Sequence, residues 1–359
     1  MVLPSSVIKP VSARARVRLR TIILSFALGL ILVAAVVVSA VTGQLAISPG
    51  DVLGSILGWL GISTALAPDD PVIESTLQVV RFPRIVMALA VGAALAVAGA
   101  LMQAVFGNPL AEPGVVGVSS GAALGASTAI VFGISASGGG VALLAFVGGL
   151  GATLLVYAVA RAGGRTEVVT LLLTGIAINA FAQAGLAFVL FLADTASREQ
   201  IVFWQLGSLA GSLWSEVLVV LPVLVVGTAL ALMMAGKLDL LALGERNARH
   251  LGVDVERLRI LAIILVALLT GVAVAFAGII AFVGLVVPHI IRMALGPAHR
   301  GLLLASAVGG GALLVIADLF TRTLVSGADL PIGMLTALVG GPFFFGLLYQ
   351  QRRKSGGWA

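Results

Sequence analysis

The chain has 359 residues, of which 60% are hydrophobic and only 10% charged, too little polar surface to cover a soluble body of that length. With no cysteine there are no disulfides or thiolate metal sites, and three widely spaced histidines (His250, His289, His299) argue against a histidine metal centre. The net charge of +6 follows from membrane topology, as shown below, and gives no reason to expect a nucleic-acid partner.

The apolar runs predict an all-α, polytopic membrane protein with about ten transmembrane helices. A basic tail, residues 1–20, carries Lys9, Arg14, Arg16, Arg18 and Arg20. One transmembrane domain follows over 21–350, and a tail over 351–359. Span 1 is expected near 21–42; it is too long for a signal-peptide core and is followed by many further spans. The segment 43–80 contains Ser48-Pro49-Gly50-Asp51, whose side-chain oxygens and proline suit the start of a short surface helix. Span 2, about 83–106, opens on Arg81-Phe82-Pro83-Arg84 and carries small residues four apart on two faces (Ala90, Ala94, Ala98; Gly92, Ala96, Ala100). Neighbouring backbones can approach closely there.

The two prolines of Asn108-Pro109-Leu110-Ala111-Glu112-Pro113 predict a tight turn. Spans 3, 4 and 5 follow near 114–134, 140–161 and 168–192. Residues 193–214, with Phe203, Trp204 and Trp214, suit an interfacial excursion. Span 6 is expected near 216–236. The charged segment 237–257 is too polar to insert and alternates charge with Leu238, Leu240, Leu241, Leu251 and Val253, apolar knobs suited to a partner's groove. Spans 7 to 10 lie near 259–280, 282–295 (interrupted by Pro288), 301–321 and 332–350. A faint echo, Ala98-Gly99 before Pro109 and Ala277-Gly278 before Pro288, fits an internal repeat.

Lys and Arg are retained on the cytoplasmic side of spanning helices. An even number of spans with both termini cytoplasmic places all but Arg81, Arg84, Arg198 and Arg322 of the 21 basic residues inside. Asp318, four residues before Arg322, shares its helix face and can restrain it. Gly117-Val118-Ser119-Ser120-Gly121 matches a serine-nucleophile elbow, but that motif needs a strand–turn–helix setting, and this stretch opens an apolar helix. Small-residue packing accounts for it. His289, beside Pro288, is expected to bond backbone freed by the proline rather than a metal. No G-x-x-x-x-G-K-[ST] phosphate loop occurs: Gly236-Lys237 is followed by Leu238 and preceded at the required distance by Ala231.

Taken together, Arg81-Phe-Pro-Arg84, Gly92 to Gly99, Gln103, Asn108 to Gly114, Leu171 to Ala177, Trp204 to Ser208, Gly244 to Gly252, Phe282 to His289, Ala317-Asp318 and Leu330 to Phe344 resemble the FecCD-type permeases of iron-chelate, haem and cobalamin importers of the ATP-binding-cassette class. The resemblance covers nearly the whole chain. It implies the cobalamin-importer-permease fold and a transport subunit, not an enzyme, without cofactor. It also implies a second permease copy, two cytoplasmic ATPase subunits and an extracytoplasmic substrate-binding protein, in the plasma (inner) membrane.

By the same resemblance, Arg81, Arg84 and Arg322 dock acidic side chains of the binding protein. Gly244, Ala248, Arg249, Leu251 and Gly252, in the coupling segment 237–257, contact the ATPase. Asn108 and Leu110, with Val168 and Val169 at the start of span 5, close the pathway at its cytoplasmic end. The stretch Thr166-Glu167-Val168-Val169 is more apolar than the hydroxyl-rich version of the cobalamin member. Arg198 to Leu209 and Trp214 look most like haem-importing members, with ferric siderophores second and cobalamin third. Two rivals from other classes are an ion-coupled secondary transporter, which should place ionisable groups near the bilayer midplane, and an intramembrane serine hydrolase using Ser119.

Overall fold

The computed structural model describes residues 13–134, 139–162, 165–325 and 327–354. Lys9 and the end of the last tail, 355–359, lie outside the described residues. Helix α1 (Ala13–Val41) is followed by α2 (Pro49–Trp59) and by α3 (Pro71–Ser75), which runs through a π-helical turn, Thr76–Arg81, into α4 (Phe82–Phe106). After a 3-10 turn at Pro113–Val116 come α5 (Val118–Val131) and α6 (Gly140–Ala160), then a minimal hairpin of β1 (Arg161–Ala162) and β2 (Arg165–Thr166). The remaining helices are α7 (Val168–Leu192), α8 (Thr195–Leu206), α9 (Trp214–Leu241), α10 (Glu245–His250), α11 (Val255–Ala277), α12 (Val283–Leu295), α13 (His299–Thr323) and α14 (Ile332–Lys354).

Seven of these stretches are long and apolar enough to cross a membrane, and α5, α12 and the apolar part of α14 are shorter. The seven and the three together match the ten expected spans. Exposed side chains such as Phe26 on α1, Leu143 on α6, Phe181 and Phe188 on α7 and Met233 on α9 give these helices apolar outer faces suited to lipid. α1 starts at Ala13, so residues expected as tail are helical. Ser48 caps α2 reciprocally with Asp51, the two backbone N–H contacts measuring 3.1 and 3.2 Å, as their spacing predicts.

Helix α4 is the axis of the bundle. Almost all its residues are buried, and it packs against α9, α11, α12 and α13. On the predicted Gly92 face, a Cβ added at Gly92 would stand 2.2 Å from the Gly310 carbonyl oxygen; at Gly99, outside both predicted faces, one would stand only 1.7 Å from that of Gly284. Backbone therefore lies on backbone where α13 and α12 cross α4.

Two segments depart from the expected helices. At 1.5 Å per residue, α5 and α12 each rise only about 20 Å, against about 30 Å of hydrocarbon. The missing depth is taken up by backbone outside the α-helices, residues 107–117 before α5, which include the 3-10 turn, and 278–282 before α12. The turn expected at Asn108–Pro113 is thus the start of a re-entrant segment. Pro113 reaches Gly284, itself packed on Leu95 of α4, and Leu95 lies about 16 Å from the end of α4 at 1.5 Å per residue. The echo read from Ala98-Gly99 and Ala277-Gly278 is out of register: Gly99 is inside α4, whereas Gly278 caps the end of α11. The shared pattern is helix, break and short helix.

Replacing Gly99 with Val should cost at least about 2 kcal/mol through overpacking and lower the thermal midpoint of the detergent-purified chain. Gly236→Ala, where an added Cβ meets nothing within 4 Å, should leave it unchanged.

Candidate functional site

The three arginines expected to dock a partner converge at the end of the bundle where α4 begins. The π-turn and the start of α4 carry Arg81 and Arg84, while α13 brings Arg322 one turn beyond Asp318. Arg84 Nε donates to both oxygens of Asp318, at 2.9 and 3.1 Å, and its Nη1 donates to Asp329 Oδ2 at 2.6 Å. Arg322 pairs with Asp318 Oδ2 at 3.2 Å and donates to Ser39 Oγ at 2.6 Å. Arg81 donates to the carbonyl oxygens of Ala40, at 2.5 Å, and Leu45.

These side chains do not stand free on the outer surface. Arg81 is 4% and Arg84 7% exposed, and the chain itself supplies their acceptors. Burying such charges is tolerated because carboxylates and backbone carbonyls of the chain stand against them. The expected Asp318–Arg322 pair is present, but Asp318 also holds Arg84, 234 positions away in sequence. The cluster borders a cleft of about 310 Å³, lined by Arg81, Arg84, Arg322, Asp329, Thr76 and Gln44 among others.

At the opposite end of the bundle, the chain turns sharply at Gly244 (φ 101°) and again at Gly252 (φ 83°), a backbone region that favours glycine. Between them α10 turns Ala248 fully inward, while Arg249 and Leu251 are exposed. Arg249 pairs only loosely with Glu245, at 3.5 Å. Of the apolar knobs read in this segment, Leu238, Leu241 and Val253 are buried in the chain's own core. α9 also continues to Leu241, so the projecting part begins only after it, and Leu243 and Leu251 are its exposed large apolar side chains.

Glu245 reaches back to the buried Arg259 of α11. Glu256, 3.8 Å from Arg259, accepts from Tyr157 of α6 at 3.0 Å. α10 is thereby tied by charge to α11, which the Tyr157 hydrogen bond joins to α6.

The residues expected at the gate divide. Val168 lines a cleft of about 440 Å³ together with Gly107, Pro109, Arg292, Gly244 and Glu245, so one of these positions adjoins the start of α10. Asn108 accepts from the Leu110 backbone N–H at 3.0 Å, which shapes the turn between α4 and the re-entrant segment. Val169 is exposed on the first turn of α7.

A third feature was not read from the sequence. The two non-helical breaks meet at a chamber of about 420 Å³ whose polar lining is Glu112, Ser119, Ser120, Asn179, Gln183 and Thr270. Ser120 donates to Asn179 Oδ1 at 2.5 Å and to the Gly117 carbonyl at 3.2 Å. Thr270, 2% exposed, has a hydroxyl without a protein partner among the described residues. Half-buried Glu112 puts a carboxyl on the wall of this chamber, a polar stretch between apolar helices. Only burial depth separates Glu112 from an ordinary turn residue, and depth is invisible in the local sequence.

The serine-elbow resemblance dissolves here. Ser119 and Ser120 open α5, and Gly121 lets that helix lie on Gly148 of α6, where an added Cβ would stand 2.4 Å from the Gly148 carbonyl oxygen. His289 is buried, and its Nδ1 has no hydrogen-bond partner among the described residues. No group of three or more metal-ligating His, Cys, Asp or Glu side chains occurs among the described residues.

Comparison with known proteins agrees with this architecture. The model of the FecCD transport family matches residues 30–350. The chain belongs to the FecCD transport family. It is 42% identical to the hemin transport system permease protein HmuU of Yersinia pestis, over 77% of this chain and 84% of that protein. It is 40% identical to the cobalamin import system permease protein BtuC of Halobacterium salinarum, over 92% and 96% respectively. A solved structure of a metal-chelate type ABC transporter in an inward-facing conformation superposes with a TM-score of 0.80 at 34% identity, covering 91% of this chain and 99% of that one. The FecCD chain is therefore a multi-span permease subunit of an ATP-binding-cassette importer, and ATP hydrolysis belongs to a separate subunit.

Asp318→Asn should destabilise the permease by about 3 kcal/mol, because Arg84 and Arg322 lose a shared buried counter-charge. Adding Arg322→Gln should recover part of the loss. Thermal unfolding in detergent reads both effects.

Proposed function

We propose that this FecCD permease works as one half of a dimer that imports an iron chelate, with haem as its cargo. The dimer sits in the plasma (inner) membrane with both termini cytoplasmic, served by two ATPase subunits and an extracytoplasmic substrate-binding protein. The observation that carries this reading is the polarity of the bundle. Arginines and aspartates gather at one end, and a short glycine-bracketed helix projects at the other. Relatives named for hemin and cobalamin support a bulky chelate; the identity to the hemin permease and the residues Arg198 to Leu209 favour haem.

In this reading an acidic surface of the binding protein meets Arg81, Arg84 and Arg322, where guanidinium–carboxylate pairs give register and steering. At the other end the ATPase seats against Gly244, Ala248, Arg249, Leu251 and Gly252. Closure of the nucleotide-bound ATPases is passed through α10 to α11 and α6 as a rigid-body push. Asn108, Leu110, Val168 and Val169 close the cytoplasmic end of the pathway. Cargo selection rests largely with the binding protein.

Vesicles containing the permease, its ATPase and the binding protein should accumulate haem only with ATP, and the purified permease alone should hydrolyse none. Uptake of a ferric siderophore or cobalamin in place of haem would overturn the cargo and leave the importer standing. Replacing Arg249 and Leu251 together with Ala should cut uptake at least tenfold, with ATP hydrolysis retained but uncoupled or with the ATPase lost from the complex; unaltered uptake and recovery would reject the coupling assignment.

A further inference from the structure

The charges at the arginine end do not balance. Asp318 and Asp329 pair with Arg84 and Arg322, so two carboxylates stand against the three guanidiniums of Arg81, Arg84 and Arg322 and one positive charge is left over among these five groups. That charge sits at Arg81. Its guanidinium is held by two backbone carbonyls, and it makes no ion pair to a carboxylate among the described residues. The two carbonyl oxygens take one bond each from Nη1 and Nη2, fewer than the five N–H donors of a guanidinium, and do not neutralise it, so the cleft beside it keeps an anion-attracting wall.

The two aspartates also differ in kind. Asp318 is 1% exposed, rigid within α13, and holds both Arg84 and Arg322. Asp329 has a side chain 27% exposed and lies in the connection between α13 and α14. It touches Arg84 through a single contact of 2.6 Å and lines the open cleft. The connection is tethered beside it by the Leu330 backbone N–H, which donates to Thr321 O at 3.0 Å, so the Asp329 side chain can leave Arg84 without displacing the backbone. Arg84 would then keep Asp318 on Nε and present Nη1 to the cleft.

We propose that this cleft is a receptor for two carboxylates of an extracytoplasmic protein. One seat, at Arg81, is open; the other, at Arg84, is occupied by the chain's own Asp329 until a partner's carboxylate replaces it. Asp329 is a resident competitor. It keeps the buried guanidinium paired between docking events and weakens the docked state enough for the partner to leave. This rests on the docking reading given above and adds to it the number of acidic groups recognised and the residue that sets their affinity.

The test uses the full-length permease with its ATPase in lipid nanodiscs. The probe is the binding protein that supports uptake with this permease in vesicles. Asp329→Asn should tighten binding about tenfold, or about 1.4 kcal/mol, mainly through slower dissociation, and should slow uptake at saturating binding protein. Asp329→Ser should do the same, and Asp329→Glu should bind as wild type does. Arg81→Met and Arg84→Met should each weaken binding at least tenfold.

Unchanged or weaker binding in both neutral Asp329 variants, with the arginine variants still defective, would overturn the competitor while leaving docking at the arginines intact. Unchanged binding in both arginine variants would sink the docking reading and the two-carboxylate receptor together.

Discussion

The constraint on which this permease depends is that α4 has no lipid-facing side. A helix surrounded by protein in a bilayer gains nothing from hiding apolar surface from lipid tails that are equally apolar; its neighbours must be held by close contact and by the few polar bonds available. Gly92 against Gly310 and Gly99 against Gly284 bring α13 and α12 into backbone contact with it. Arg84 to Asp318, at the start of the helix, and the Gln103 amide donating to Leu285 O at 3.1 Å, near its end, pin the same two partners by charge and hydrogen bond. Small residues set the distance and polar residues set the register.

That arrangement explains where irregular backbone is allowed. Non-helical segments at membrane depth survive only where protein or a water-filled cavity meets their polar groups. Both breaks, 107–117 and 278–282, lie against the α4 axis and face one chamber. Gly278 and Phe282 take positive φ there, 69° and 68°. A bulky non-glycine residue in that region is strained, and it is held by packing: Gly340 of α14 leaves just enough space for the Phe282 ring.

Much of the fold was legible in the sequence because lipid-facing helices announce themselves as apolar runs, and the capping pair Ser48 and Asp51 needs only local spacing. The direction of α4's small-residue faces was legible for the same reason. What could not be read is long-range. That Asp329 meets Arg84, and that Leu238 and Leu241 turn into the chain's own core while Leu251 does not, depends on how distant helices are placed. Glu112 looked like a turn residue because proline marks a break in helix but not the depth at which the break occurs. The arginines were singled out by family resemblance, with their rarity on one side of the predicted topology beside it, and neither signal reports their burial.

The Arg84–Asp318 pair has a consequence for biogenesis. A chain made from its N-terminus inserts α4, with its arginines, long before α13 exists to supply the aspartate 234 positions later. Until then the second span holds cations without their final counter-charge and presents glycine faces without their final neighbours. The central helix of the finished molecule is thus among the first to enter the membrane and among the last to find its place, and the C-terminal third acts on it as a clasp that closes only when synthesis is nearly done.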